Sequence, residues 1–169
     1  MKNIILTGFM GTGKTAVGRE LSRLLNMRLV DVDAEIEDSR KMKITDIFKN
    51  FGEPFFRDLE TEMIRKLVHA KNAVISTGGG AVLREENMDA LRATGVVFWL
   101  YADPETIIAR VGSNNDRPLL AVEDPLAKIK ELLRARMPFY EKAGIMIDTN
   151  RKTPLEVAEE IAGIIGCKR

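Results

Sequence analysis

Eight residues, Gly8-Phe9-Met10-Gly11-Thr12-Gly13-Lys14-Thr15, constrain this chain more than any other stretch in it. They follow the apolar run Ile4-Ile5-Leu6 and open a segment with helical spacing, so strand, glycine loop and helix come in the order a phosphate-binding loop needs. In the pattern G-x-x-x-x-G-K-[ST], glycines let backbone N–H groups curl around the phosphates, the lysine reaches the outer phosphates and the hydroxyl meets magnesium. Lys14 and Thr15 fill the last two roles, and Gly11, Thr12, Gly13, Lys14 and Thr15 are the expected nucleotide-binding positions. The helix that follows aims its N-terminal dipole at the same anion.

The rest of the composition narrows the partners. At 169 residues a single domain is expected, burying about two-thirds of the surface its unfolded chain would expose. Lys and Arg number 26 against 25 Asp and Glu, with no long basic block, so neither nucleic acid nor a membrane surface is indicated as the main partner. The one cysteine, Cys167, excludes an internal disulfide and fits a reducing compartment. No run approaches the ~20 apolar residues of a membrane span, and the N-terminus leads straight into a strand. A soluble, cytoplasmic protein is expected.

In chain order, Val17, Leu21, Leu24 and Leu25 give the first helix an apolar stripe. Leu29-Val30-Asp31-Val32-Asp33 reads as a second strand whose two carboxylates share one face at its C-terminal end, where open α/β sheets bind ligands. Short helical pieces over Ile36 to Arg40 and Ile44 to Phe51 are closed by Gly52, and a longer helix begins near Pro54 with Leu59, Met63 and Leu67 inward. Arg57 lies seven residues before Ile64, which gives it an inward azimuth in the first turn and aims it over the rim of the core. Ala73 to Thr77 is a buried-type strand followed at once by Gly78-Gly79-Gly80, whose backbone amides are open to anything docked there.

A crossover helix from Glu85 to Thr94 leads into the apolar run Val96 to Leu100, and Asp103-Pro104 caps a short helix through Val111. Residues 112–124 keep no period and read as a mobile lid, in which Pro118 holds Arg117 extended. Pro125 to Arg136 resumes a helix, stopped by Met137-Pro138. Ile145 to Asp148 is a last strand, and Thr153-Pro154-Leu155-Glu156 is a capping box opening a helix with Val157, Ala158, Ile161, Ile164 and Ile165 inward. Strands separated by helical crossovers imply a parallel sheet with helices on both faces.

Several of these residues have plainer readings. Asp33 could cap the helix after it instead of serving chemistry. Arg57 could form a solvated i,i+3 pair with Glu60, Gly78 to Gly80 a tight turn, and Arg117 an ordinary loop arginine. Arg134 and Arg136, two apart on a helix, face different ways, so at most one enters a site. In favour of chemistry, phosphoryl transfer needs one acid near magnesium and another to orient the attacking hydroxyl, which is what Asp31 and Asp33 beside the loop offer.

Gly8 to Thr15, Asp31-Val-Asp33, Phe56-Arg57, Gly78-Gly79-Gly80, Arg117-Pro-Leu-Leu and Arg136-Met-Pro-Phe-Tyr140, in this order and spacing, resemble the shikimate kinase family from residue 3 to about residue 165. The resemblance implies ATP-dependent phosphorylation of the 3-hydroxyl of shikimate, yielding shikimate 3-phosphate and ADP in aromatic amino-acid biosynthesis. It implies a P-loop three-layer α/β sandwich of the nucleoside-monophosphate-kinase type, with a five-stranded parallel sheet. The substrate-binding region would span about 33–60 and the lid about 112–124 of a single domain, 1–169.

By the same resemblance Lys14 is the phosphate lysine, Thr15 and Asp31 hold magnesium, and Asp33 holds the acceptor hydroxyls and takes the proton. Arg57, Arg136 and the Gly79 amide, with Gly78 and Gly80 beside it, clamp the acceptor carboxylate, and Phe48 and Phe56 wall it. Arg117 meets the transferring phosphate, and Arg110 and Pro154 flank adenine. Separately from the resemblance, a monomer is expected. Ala16 departs from the family, in which many members carry a second hydroxyl after Thr15. Two rivals remain: a kinase of another small hydroxy acid such as gluconate, and a catalytically silent nucleotide-binding module.

Overall fold

The computed structural model describes residues 2–111 and 122–166. Strands β1 (Asn3–Gly8), β2 (Arg28–Asp31), β3 (Ala73–Ser76), β4 (Gly95–Tyr101) and β5 (Ile145–Asp148) form one sheet in the order β2-β3-β1-β4-β5. The strand pairings among the described residues are all parallel, as the helical crossovers require. The helices are α1 (Lys14–Leu25), α2 (Val32–Arg40), α3 (Ile44–Leu67), α4 (Glu85–Thr94), α5 (Pro104–Val111), α6 (Pro125–Ala143) and α7 (Pro154–Ile164). β1 runs down the middle between β3 and β4; the chain leaves it for β2 on one side and later crosses from β3 to β4 on the other, so the loop after β1 opens at the crevice where ligands bind in such sheets.

Alternation along β1 divides the core in two. Ile4 and Leu6 pack with Val17, Leu21, Phe98 and Ile161 under α1 and α7, whereas Ile5 packs with Ile75, Trp99, Ile64 and Tyr140 on the opposite face. Each such fully buried aliphatic side chain is worth about 1.5–3 kcal/mol. The Thr153 capping box is present in full at the start of α7. No helix among the described residues is long and apolar enough to cross a membrane.

Three expectations change. β2 ends at Asp31, and Asp33 stands in the first turn of α2 and not on the strand. The reason is local: the Asp31 carboxylate accepts from the N–H groups of Asp33 and Ala34 at 3.2 and 3.3 Å, so it is Asp31 that caps and the helix starts at Val32. As expected, Gly52 separates a helical piece over 44–51 from a longer one beginning near Pro54, the two together being α3; its φ of 81° and ψ of 171° are readily adopted only by glycine. α6 does not stop at Pro138 but continues to Ala143, because Tyr140 and Ala143 are buried and tertiary packing outweighs the lost backbone hydrogen bond. Ile164, expected inward, is 48% exposed at the frayed end of α7. Arg117, residues 112–121 of the expected lid, and Cys167 lie outside the described residues.

Candidate active site

Gly13 turns the chain into α1 from the left-handed region at φ 95°, which points the following amides along the helix axis toward the crevice. Lys14 Nζ donates to the carbonyls of Gly8 and Phe9 at 2.8 and 2.9 Å, so the lysine bridges the two ends of its own loop. The Thr12 hydroxyl donates to Phe9 O at 2.8 Å and is buried, so Thr12, expected among the nucleotide-binding positions, braces the loop and is not part of the cavity wall. A cavity of about 300 Å³ gathers Lys14, Thr15, Asp31, Asp33, Gly79 and Arg110 on its wall, with Gly11 and Gly13 beneath. Arg110 is steadied by Thr149, donating to its hydroxyl at 3.0 Å and its carbonyl at 2.6 Å. Pro154, exposed at the start of α7, is not part of that wall.

The Thr15 hydroxyl donates to Asp31 Oδ2 at 2.9 Å. One hydroxyl and one carboxylate, both hard oxygen donors, fit magnesium, which keeps its waters and takes one or two protein oxygens together with substrate phosphates. Consistently, no group of three or more His, Cys, Asp or Glu among the described residues could form an all-protein cage.

Behind Gly79 lies a second, drier group. Arg57 is 9% exposed and is held by Glu60 at 2.9 Å and Glu53 at 2.8 Å. The pair with Glu60 is therefore an interior one, not the solvated surface pair of the alternative reading. Burial opposes the Arg57 charge, but the two carboxylates outweigh it and hold the guanidinium firmly protonated. Gly80 lies flat against that guanidinium, where any Cβ would overlap it, and Gly78 likewise lies against Asp33 Oδ1 and Glu60 Oε1. Arg136 is buried while Arg134 is exposed, and the Arg136 guanidinium sits 5.6 Å from the Phe9 ring centroid. Phe48 and Phe56 meet with ring centroids 4.8 Å apart. Arg84 anchors this stretch of α3 by donating to Arg57 O and the Thr61 hydroxyl, both at 3.1 Å.

Glu60 is the residue whose importance the sequence understated. Its inward azimuth, three and four residues before Met63 and Ile64, was the available signal. Burial pushes its carboxyl above the ordinary value of 4.5, with Asp33 adding to the push and Arg57 and Arg136 opposing it. A raised carboxyl supports folding fully below 4.5 and loses that support as pH rises through the folded-state value. Glu60→Gln removes the titration, so its Tm is expected to gain on the parent from pH 4.5 to neutral. Thermal melts across that range check it, and a variant that loses ground to the parent as pH rises would mean that attraction to Arg57 outweighs burial.

Residues 10–165 match the family model described as shikimate kinase. A curated shikimate kinase of Thermodesulfovibrio yellowstonii is 53% identical over 95% of this chain and 93% of its own length. Another, from Caldanaerobacter subterraneus, is 48% identical over 95% of this chain and 94% of its own. The chain belongs to the shikimate kinase family. A solved shikimate kinase, from Acinetobacter baumannii in complex with shikimate, superposes with a TM-score of 0.94 at 38% identity, covering 98% of this chain and 93% of that one. Shikimate kinase membership thus accounts for the five-stranded parallel sheet and the P-loop crevice in one stroke. The cavity wall also includes Met10, Ala16, Ser76 and Thr77, Ala16 being the position that lacks a second hydroxyl.

Proposed function

We propose that this site transfers the γ-phosphoryl group of ATP to the 3-hydroxyl of shikimate. The observation that carries the reading is the continuity of Lys14, Thr15, Asp31, Asp33 and Gly79 in one cavity, backed by the buried Arg57 and Arg136. Lys14 binds the outer phosphates, and Thr15 and Asp31 hold magnesium, which neutralises charge on the phosphates when bound. Asp33 orients the acceptor hydroxyl and accepts its proton as the new P–O bond forms and the bond to ADP breaks. Arg57, Arg136 and the Gly78 to Gly80 backbone grip the acceptor carboxylate, a planar group suited to guanidinium forks. Phe48 and Phe56 wall its ring.

Arg110 and Pro154 flank adenine in this reading, and Arg117 supplies a cation to the transferring phosphate. The protein works as a cytoplasmic monomer and a single domain, 1–169, with ATP and shikimate as its small-molecule partners. A coupled ADP-release assay with magnesium, ATP and a panel of hydroxy acids tests all this. Release with shikimate and not with gluconate is expected. Activity on gluconate alone would favour the rival kinase, and shikimate binding without ADP release would favour a silent module.

A further inference from the structure

Tyr140 has no part in the reading above, yet it touches two members of the acceptor clamp. It is fully buried, on α6 one turn beyond Arg136, so the two side chains share a face. Its hydroxyl donates to the carbonyl of Gly79, 61 residues away in the chain. That carbonyl belongs to the Gly79–Gly80 peptide, and a planar trans peptide carries its N–H on the opposite side. Pinning the oxygen therefore sets the direction of the Gly80 N–H, next to the Arg57 guanidinium that Gly80 packs against.

The tyrosine itself is held from below. Its ring stacks on Trp99 of β4 with centroids 5.9 Å apart and planes 4° from parallel. Burial raises its hydroxyl well above the ordinary value of 10.0, so it remains an O–H donor at any working pH. Three glycines in a row have little rigidity of their own, and among the described residues no backbone carbonyl accepts from the Gly79 or Gly80 N–H.

We propose that Tyr140 is a positioning residue for the acceptor: its hydroxyl, braced by Trp99, fixes the Gly79–Gly80 peptide relative to Arg136 so that the acceptor carboxylate meets donors already in place. The proposal rests on the clamp assigned to Arg57, Arg136 and the glycines. Tyr140→Phe keeps the ring and its stack and deletes only the hydroxyl. The KM for shikimate is expected to rise about tenfold, the effect of orphaning one buried carbonyl, with kcat and the KM for ATP little changed.

Unchanged shikimate KM in Tyr140→Phe overturns the proposal, and so does a parallel rise in both KM values with a large fall in Tm, which would mark a merely structural role. Arg136→Lys separates the two levels of inference. If it raises the shikimate KM while Tyr140→Phe does not, only the role of Tyr140 falls; if neither does, the clamp falls with it. Should Tyr140→Phe fail to fold, Trp99→Leu keeps the hydroxyl and removes its brace. A selective rise in shikimate KM there supports the proposal, and no rise overturns it.

Discussion

Asp33→Asn is expected to lower kcat by roughly two to four orders of magnitude, the usual worth of a general base, while leaving the KM for ATP nearly unchanged. Asparagine preserves the shape of the side chain and can still touch the acceptor hydroxyl, but it cannot take the proton. Asp33 stands in the first turn of α2 with its carboxylate against Gly78, whereas the Thr15 hydroxyl meets Asp31, and the proposed reading puts Asp33 on the acceptor and not on ATP. A loss confined to kcat is therefore the signature of its placement. Steady-state kinetics with each substrate varied in turn decide the matter, and near-normal turnover would remove Asp33 from the mechanism.

Arg57→Ala should do two things at once. Acceptor binding should weaken by about 2–5 kcal/mol, the range for truncating one partner of a desolvated charge pair. The fold should also lose about 3–5 kcal/mol, because Glu60, with no exposed side-chain surface, keeps its burial and loses its main counter-charge. The double variant Arg57→Ala/Glu60→Gln separates these effects: stability to urea should largely return while the shikimate KM stays high. If the single variant melts like the parent, the interior ion pair contributes less than its burial implies.

What could be read from sequence follows from the range over which each signal acts. The P-loop was legible because its glycines, lysine and threonine work through local backbone geometry, and the strands and most helices because periodicity is local too. Asp33 was given the right neighbourhood but the wrong element, since only the Asp31 side chain folding back onto two amides decides where the strand ends. Pro138 is a strong local stop signal, yet α6 runs through it because Tyr140 and Ala143 find buried partners that no window of residues reveals. Glu60 was visible only as a possible surface partner of Arg57. Its burial depends on the glycine loop after β3 closing over it, and that contact is made by residues far along the chain.

The break at Gly52 divides α3 into two rods with separate duties. Phe48 belongs to the first rod, while Phe56 and Arg57 belong to the second, which Arg84 fastens to the loop after β3. In the proposed reading, a substitution in 44–51 changes the Phe48 half of the apolar wall, while Arg57 keeps its partners on the second rod. In a lineage drifting toward a bulkier or slimmer ring acid, selectivity for the ring could evolve in one rod while the grip on the carboxylate is inherited intact in the other.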